Sequence, residues 1–158
     1  MNPLAWYRDH RRKKERDRYL AEFDERWRKH VWEWHVPLQK ESIAARGPFL
    51  RLCEEERANA QSGGIVDKQR LQKEFAILFE EMVAFDSKIV AEFVEWYHSD
   101  QGSEWRVLLE EEQIDQLFLA NAGDILKGAA STTLRVCQYN SRDLIEADDL
   151  YVGRELDA

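Results

Sequence analysis

Between Ile65 and Tyr97 the chain carries neither glycine nor proline, and its apolar residues recur in a helical rhythm. Leu71, Phe75, Leu78, Met82, Phe85 and Ile89 are spaced by 4, 3, 4, 3 and 4 positions, so all six share one face of an α-helix. Phe93 and Trp96 continue that face after a shift of phase. Phe79, Val83, Val90, Val94 and Tyr97 add an adjoining stripe, which makes the apolar face too wide for a two-stranded coiled-coil seam. The pattern predicts a largely surrounded central helix over about 65–97.

A second uninterrupted run extends from Leu4 to Val36, and Pro37 is expected to end it, because proline cannot supply the next backbone donor. Tyr19, Leu20, Phe23, Trp27, Val31 and Trp34 give the later half of this helix, over about 4–36, a core-facing stripe. The earlier half has none. From Arg8 to Arg18 there are seven basic and three acidic residues and no apolar side chain, so residues 1–18 read as a basic helical extension.

Beyond Pro37 the pattern predicts a short helical piece to Arg46, then a helix opened by Pro48. Phe49, Leu50, Leu52 and Cys53 form its buried side, and Glu54, Glu55, Glu56 and Arg57 its wet side. Ser62-Gly63-Gly64 marks a loop, Asp67 an N-cap, and His98 to Ser103 a further turn. Trp105, Leu108 and Leu109 begin another helical region. Its pattern continues through Ile114, Leu117, Phe118, Ala122, Ile125, Ala129, Thr132, Val136 and Tyr139, with Gly123 and Gly128 as breaks or close-packing positions. The β-branched stretch from Thr132 to Tyr139 leaves helix and strand both open. Asn140 or Ser141 is expected to cap a last short helix ending near Tyr151, and 152–158 reads as a loose acidic tail. The fold class that results is all-α: a four- or five-helix bundle in a single domain over 1–158.

Composition sharpens this picture. With 34% charged residues and only seven glycines and three prolines, the chain favours long helices with solvated faces. The net charge of -8 is uneven: residues 1–36 hold ten basic against seven acidic residues, and residues 99–158 hold five against thirteen. Such asymmetry points to two different partners or to self-association. No run approaches a membrane span, and neither a secretory signal nor a transit peptide is expected. Cys53 and Cys137 have no metal spacing and read as free thiols of a cytoplasmic protein.

Candidate chemistry is sparse. Glu95-x-x-His98 has the spacing of one half of a di-iron carboxylate motif, but no second Glu-x-x-His accompanies it, so no metal and no cofactor are expected. His30 and His35 are five apart and fall on different helical faces, and there is no phosphate loop or nucleophile elbow. No catalytic residue is identified. The stretch Trp27-Arg28-Lys29-His30-Val31-Trp32-Glu33-Trp34-His35 mixes rings and cations; Trp27, Val31 and Trp34 belong to the core stripe, and Trp32 lies off it. The expectation is a non-catalytic protein-binding module, such as an adaptor, inhibitor or accessory subunit. It would use Arg8, Arg11, Arg12, Lys13, Lys14, Arg16, Arg18 and Trp32. Nucleic-acid binding through the same basic helix is the alternative.

Overall fold

The computed structural model describes residues 3–152. Its helices are α1 Pro3–Ala45, α2 Gly47–Gln61, α3 Lys68–His98, α4 Ser103–Glu111, α5 Asp115–Asn140 and the one-turn α6 Ala147–Leu150, with no strand among the described residues. The protein is an all-α bundle with a long N-terminal and a long central helix, as the periodicity predicts. Residues 153–158, the body of the expected acidic tail, lie outside the described residues, as do 1 and 2.

The first helix does not stop at Pro37. It runs for 43 residues with the proline inside it and is bent. An interior proline costs about 3 kcal/mol, through one lost hydrogen bond and a ring clash. Burial on both sides of it offsets that cost: Val31 and His35 before it and Ser42 after it are buried, and Leu38 packs against the core. His35 sits in its own ladder here, with Nδ1 against the Trp32 carbonyl at 3.2 Å and Nε2 against the Gln39 amide at 2.9 Å. The short piece expected after Pro37 is therefore the end of α1.

Two cross-links set the topology. The Trp27 indole N–H donates to the Phe118 carbonyl at 3.0 Å, and the Thr133 hydroxyl donates to the Ser42 carbonyl at 3.1 Å. Both pairs are 91 residues apart, so α1 and α5 run parallel and in register. The central helix α3 runs antiparallel to α1: Phe93 meets Trp27 and Trp34, whereas the earlier Lys88 meets the later Glu41. After a break at Arg46, α2 continues the chain past α3, with Phe49 edge-on to Phe75 at 5.6 Å. Its Arg57 grips the end of α5, donating to both Asp143 carboxylate oxygens and to the Asn140 carbonyl.

The first stripe of α3 is the core: Leu71, Phe75, Leu78, Met82, Phe85, Ile89 and Phe93 are all buried. The second is not enclosed throughout. Phe79 and Tyr97 are buried, yet Val83 and Val94 remain 50% and 46% exposed, so the helix is covered on one broad side only. Asp67 caps α3 as expected, accepting from the Arg70 amide at 3.1 Å. Glu56, expected on the wet side of α2, is buried, because its carboxylate accepts the Asp67 amide at 3.0 Å and so finishes the same helix start.

Gly123 and Gly128 do not break α5, and a Cβ at either would meet nothing within 4 Å, so they are not close-packing positions. The stretch from Thr132 to Tyr139 is helical. Its core side is shifted from the expected one: Thr133, Leu134 and Cys137 are buried, while Leu117, Thr132 and Tyr139 face outward. A helix wedged between α1 and α3 buries two adjoining stripes, which a single 3- and 4-residue spacing does not resolve. Ser141 follows α5 as its C-cap, and Glu146 precedes α6.

Candidate functional site

No catalytic constellation emerges among the described side chains. His35 is buried within α1, and burial lowers its pKa below the usual histidine value. His30 lies between two indoles, 5.1 Å from Trp96 and 4.9 Å from Trp105, and burial lowers its pKa too, against the opposing pull of Glu33 and Glu104. These rings join Phe23, Trp27, Trp34, Phe93 and Phe118 in one aromatic cluster where α4 closes the end of the bundle. Glu95 and His98 are both exposed at the end of α3, and no three His, Cys, Asp or Glu side chains converge among the described residues. Cys53 and Cys137 are buried thiols, pushed by burial up to about 11 and about 12, away from nucleophilic use near neutrality. An open cleft of 390 Å³ by Arg135, Tyr139 and Arg142 contains no paired acid and base; its Arg142 guanidinium stacks 3.7 Å over the Tyr139 ring.

The residues that stand free of the bundle lie on α1. From Leu4 onward, Phe23 is the first buried residue of that helix, and every position from Trp6 to Tyr19 is exposed. At ~1.5 Å per residue, the segment from Leu4 to Glu22 reaches about 27 Å beyond the core. Local contacts support it: Arg8 donates to the Leu4 carbonyl, Trp6 stacks on His10 at 5.2 Å, and Arg11–Glu15 and Arg18–Glu22 are i,i+4 ion pairs of 2.9 and 3.0 Å. Arg12, Lys13, Lys14 and Arg16 make no ion pair among the described residues. At 100° per residue the cations surround the helix, with Asp9, Glu15 and Asp17 interleaved.

Trp32 is half exposed on the face of α1 that points away from the core, its ring edge-on to His35 at 5.1 Å. It lies about 21 Å along the helix from Arg18, so the structure does not gather the basic residues and this indole into one site. Two further residues share its face, Val36 at 39% and Ile43 at 52% exposure. Their spacing of 4 and 11 from Trp32 was legible in the sequence; an expected stop at Pro37 hid Ile43.

The other end of the charge asymmetry gathers where α1 leaves the bundle. Asp100, Glu104, Glu110, Glu111 and Glu112 are exposed there and make no ion pair among the described residues. Arg106 sits among them, but its guanidinium donates to the Tyr97 and Ser99 carbonyls and completes the end of α3. Gly102 makes that turn feasible, since a Cβ there would lie 2.4 Å from the Trp96 carbonyl oxygen. No protein-family model, curated protein or solved structure matches the chain.

Proposed function

We propose that this protein is a non-catalytic binding module, of the adaptor, inhibitor or accessory-subunit kind, whose α1 presents a cationic arm and an apolar stripe to an acidic partner protein. One observation carries the reading: α1 holds residues 4–22 in helical form without burying any of them. Helices in proteins draw most of their stability from packing an amphipathic face, so a segment that gains nothing from its own core has its natural role in contact with another molecule. Its exposed Trp6 and Tyr7, its arginines and the outward Trp32 are the residue types that dominate protein interfaces. The cations surround the arm and alternate with carboxylates, an arrangement that suits a mixed-charge protein surface better than a phosphate backbone.

Nucleic acid is the second reading, favoured by the four cations without ion pairs, Arg12, Lys13, Lys14 and Arg16. The test captures partners from an extract of the native host with the full chain, with a version starting at Tyr19, and with Arg11→Glu/Arg12→Glu/Lys13→Glu/Lys14→Glu. The proposal expects both altered forms to keep the helical fold and lose a protein partner that the full chain retains. Retention of that partner by both would remove the arm from function. Binding of a short duplex with a log–log salt slope of several units would favour the second reading.

A further inference from the structure

We infer that the acidic partner of the arm is a second copy of this chain, paired antiparallel along one outward seam of α1; the inference rests on the arm being a binding element. Positions spaced by 3 and 4 along the side of α1 opposite Trp27, Val31 and Leu38 make a continuous seam. It begins with Leu4 and Tyr7, 71% and 61% exposed, and ends with Trp32, Val36 and Ile43. Between these apolar ends Arg11, Lys14 and Arg18 lie toward the tip and Glu22 and Glu25 toward the bundle, followed by Lys29 just before Trp32. All six are exposed.

That order of charges selects the partner and its direction. A parallel copy would set Arg11 on Arg11 and Glu25 on Glu25. An antiparallel copy with its axis at Arg18 sets Arg11 and Lys14 against carboxylates and leaves Arg18 alone opposite its own counterpart, and charges that flank a helical seam fix orientation and partner choice. With the two-fold axis at Arg18, Lys14 of each chain faces Glu22 of the other, Arg11 faces Glu25, and Leu4 lies over Trp32. The contact is isologous, so each pair occurs twice. The overlap from Leu4 to Trp32 is about 42 Å long. Arg11 and Lys14 cannot reach Glu25 and Glu22 in their own chain, because these lie about 21 and 12 Å further along the same helix. The present partners of the arm do not oppose the exchange: Arg11–Glu15 and Arg18–Glu22 are wide open to water, and such pairs contribute little.

Sedimentation equilibrium of the full chain at low salt, from micromolar to 100 micromolar, is the first test, and a dimer is the expected result. Arg11→Glu/Lys14→Glu should weaken dimerisation at least about tenfold, the equivalent of 1.4 kcal/mol. Adding Glu22→Arg/Glu25→Arg to that variant should restore it, since the pairs are re-formed with opposite sign. Arg18→Cys should oxidise rapidly to a covalent dimer, whereas Tyr139→Cys, exposed at the far end of α5, should not. A wild-type chain that stays monomeric throughout the range, or a dimer indifferent to the Arg11/Lys14 reversal, overturns the proposal. If the monomeric chain still captures a host protein through its arm, the binding function stands and self-pairing alone falls. If the dimer forms as described and nothing else is captured, the acidic partner is the second copy.

Discussion

Trp27 and Phe118 touch twice: their rings lie edge to face 6.1 Å apart, and the indole N–H donates 3.0 Å to the Phe118 backbone carbonyl. The contact joins the first helix to the fifth across 91 residues and sets their parallel register. Trp27→Phe keeps an aromatic ring but removes the donor and some volume. The expected cost is about 1–3 kcal/mol. At about 2–4 °C per kcal/mol for a chain of this size, thermal melting should show it clearly. A shift of under a degree would mean that the register is held elsewhere.

Acid should loosen the bundle near neutral pH. His30 and His35 are held below the usual value of 6.5, in both cases chiefly by burial. The unfolded chain therefore binds protons first as pH falls through 6.5, and the stability that the neutral imidazoles contribute is lost progressively toward their lower native values. Urea titrations between pH 7.5 and 5 should show a declining midpoint. His35→Gln should flatten that decline, and an unchanged slope in this variant would exclude His35 as a source.

The two thiols should be silent in the native protein and open to reagent once it unfolds. Their ordinary value is 9.0, and burial raises Cys53 to about 11 and Cys137 to about 12. A disulfide-exchange reagent at pH 8 should leave both intact for as long as the fold persists and titrate two thiols in concentrated guanidinium. Because the native state retains these protons longer than the unfolded chain, stability should also fall as pH rises above 9. Rapid labelling of either cysteine without unfolding would contradict their burial.

Asp86 is a carboxylate in an unfavourable place. One of its oxygens is buried with no hydrogen-bond partner, and burial raises its pKa above 3.8 against the pull of Lys127. Asp86→Asn should raise the melting temperature at pH 7, where the wild-type group is charged. The advantage should shrink as pH falls through the raised native value and vanish below 3.8, where both side chains are neutral. Equal melting of the two proteins at pH 7 would show that Lys127 compensates in full.

Sequence by itself determined the helical class, the core stripe of α3 from Leu71 to Phe93, the Asp67 cap, the turn at Gly63 and the exposure of residues 8–18. Each follows from neighbours a few positions apart: a 3- and 4-residue apolar rhythm, a carboxylate before a helix, a glycine at φ 86, a run without apolar side chains. Only the tertiary structure decided that α1 passes through Pro37, that Glu56 is buried and that Val83 is not. It likewise decided that Thr133, not Thr132, faces the core. Those outcomes depend on what lies opposite. Pro37 is tolerated because buried residues flank it on both sides, and Glu56 is drawn inward by the Asp67 amide. Thr133 is turned by the Ser42 carbonyl at 3.1 Å near the end of α1 and by the Arg46 side chain at 3.0 Å just after it, 91 and 87 residues away in the chain. The end of the α1 seam was hidden in the same way, since Ile43 joins Trp32 and Val36 only when the helix is known to continue, and a local rule for proline says that it stops.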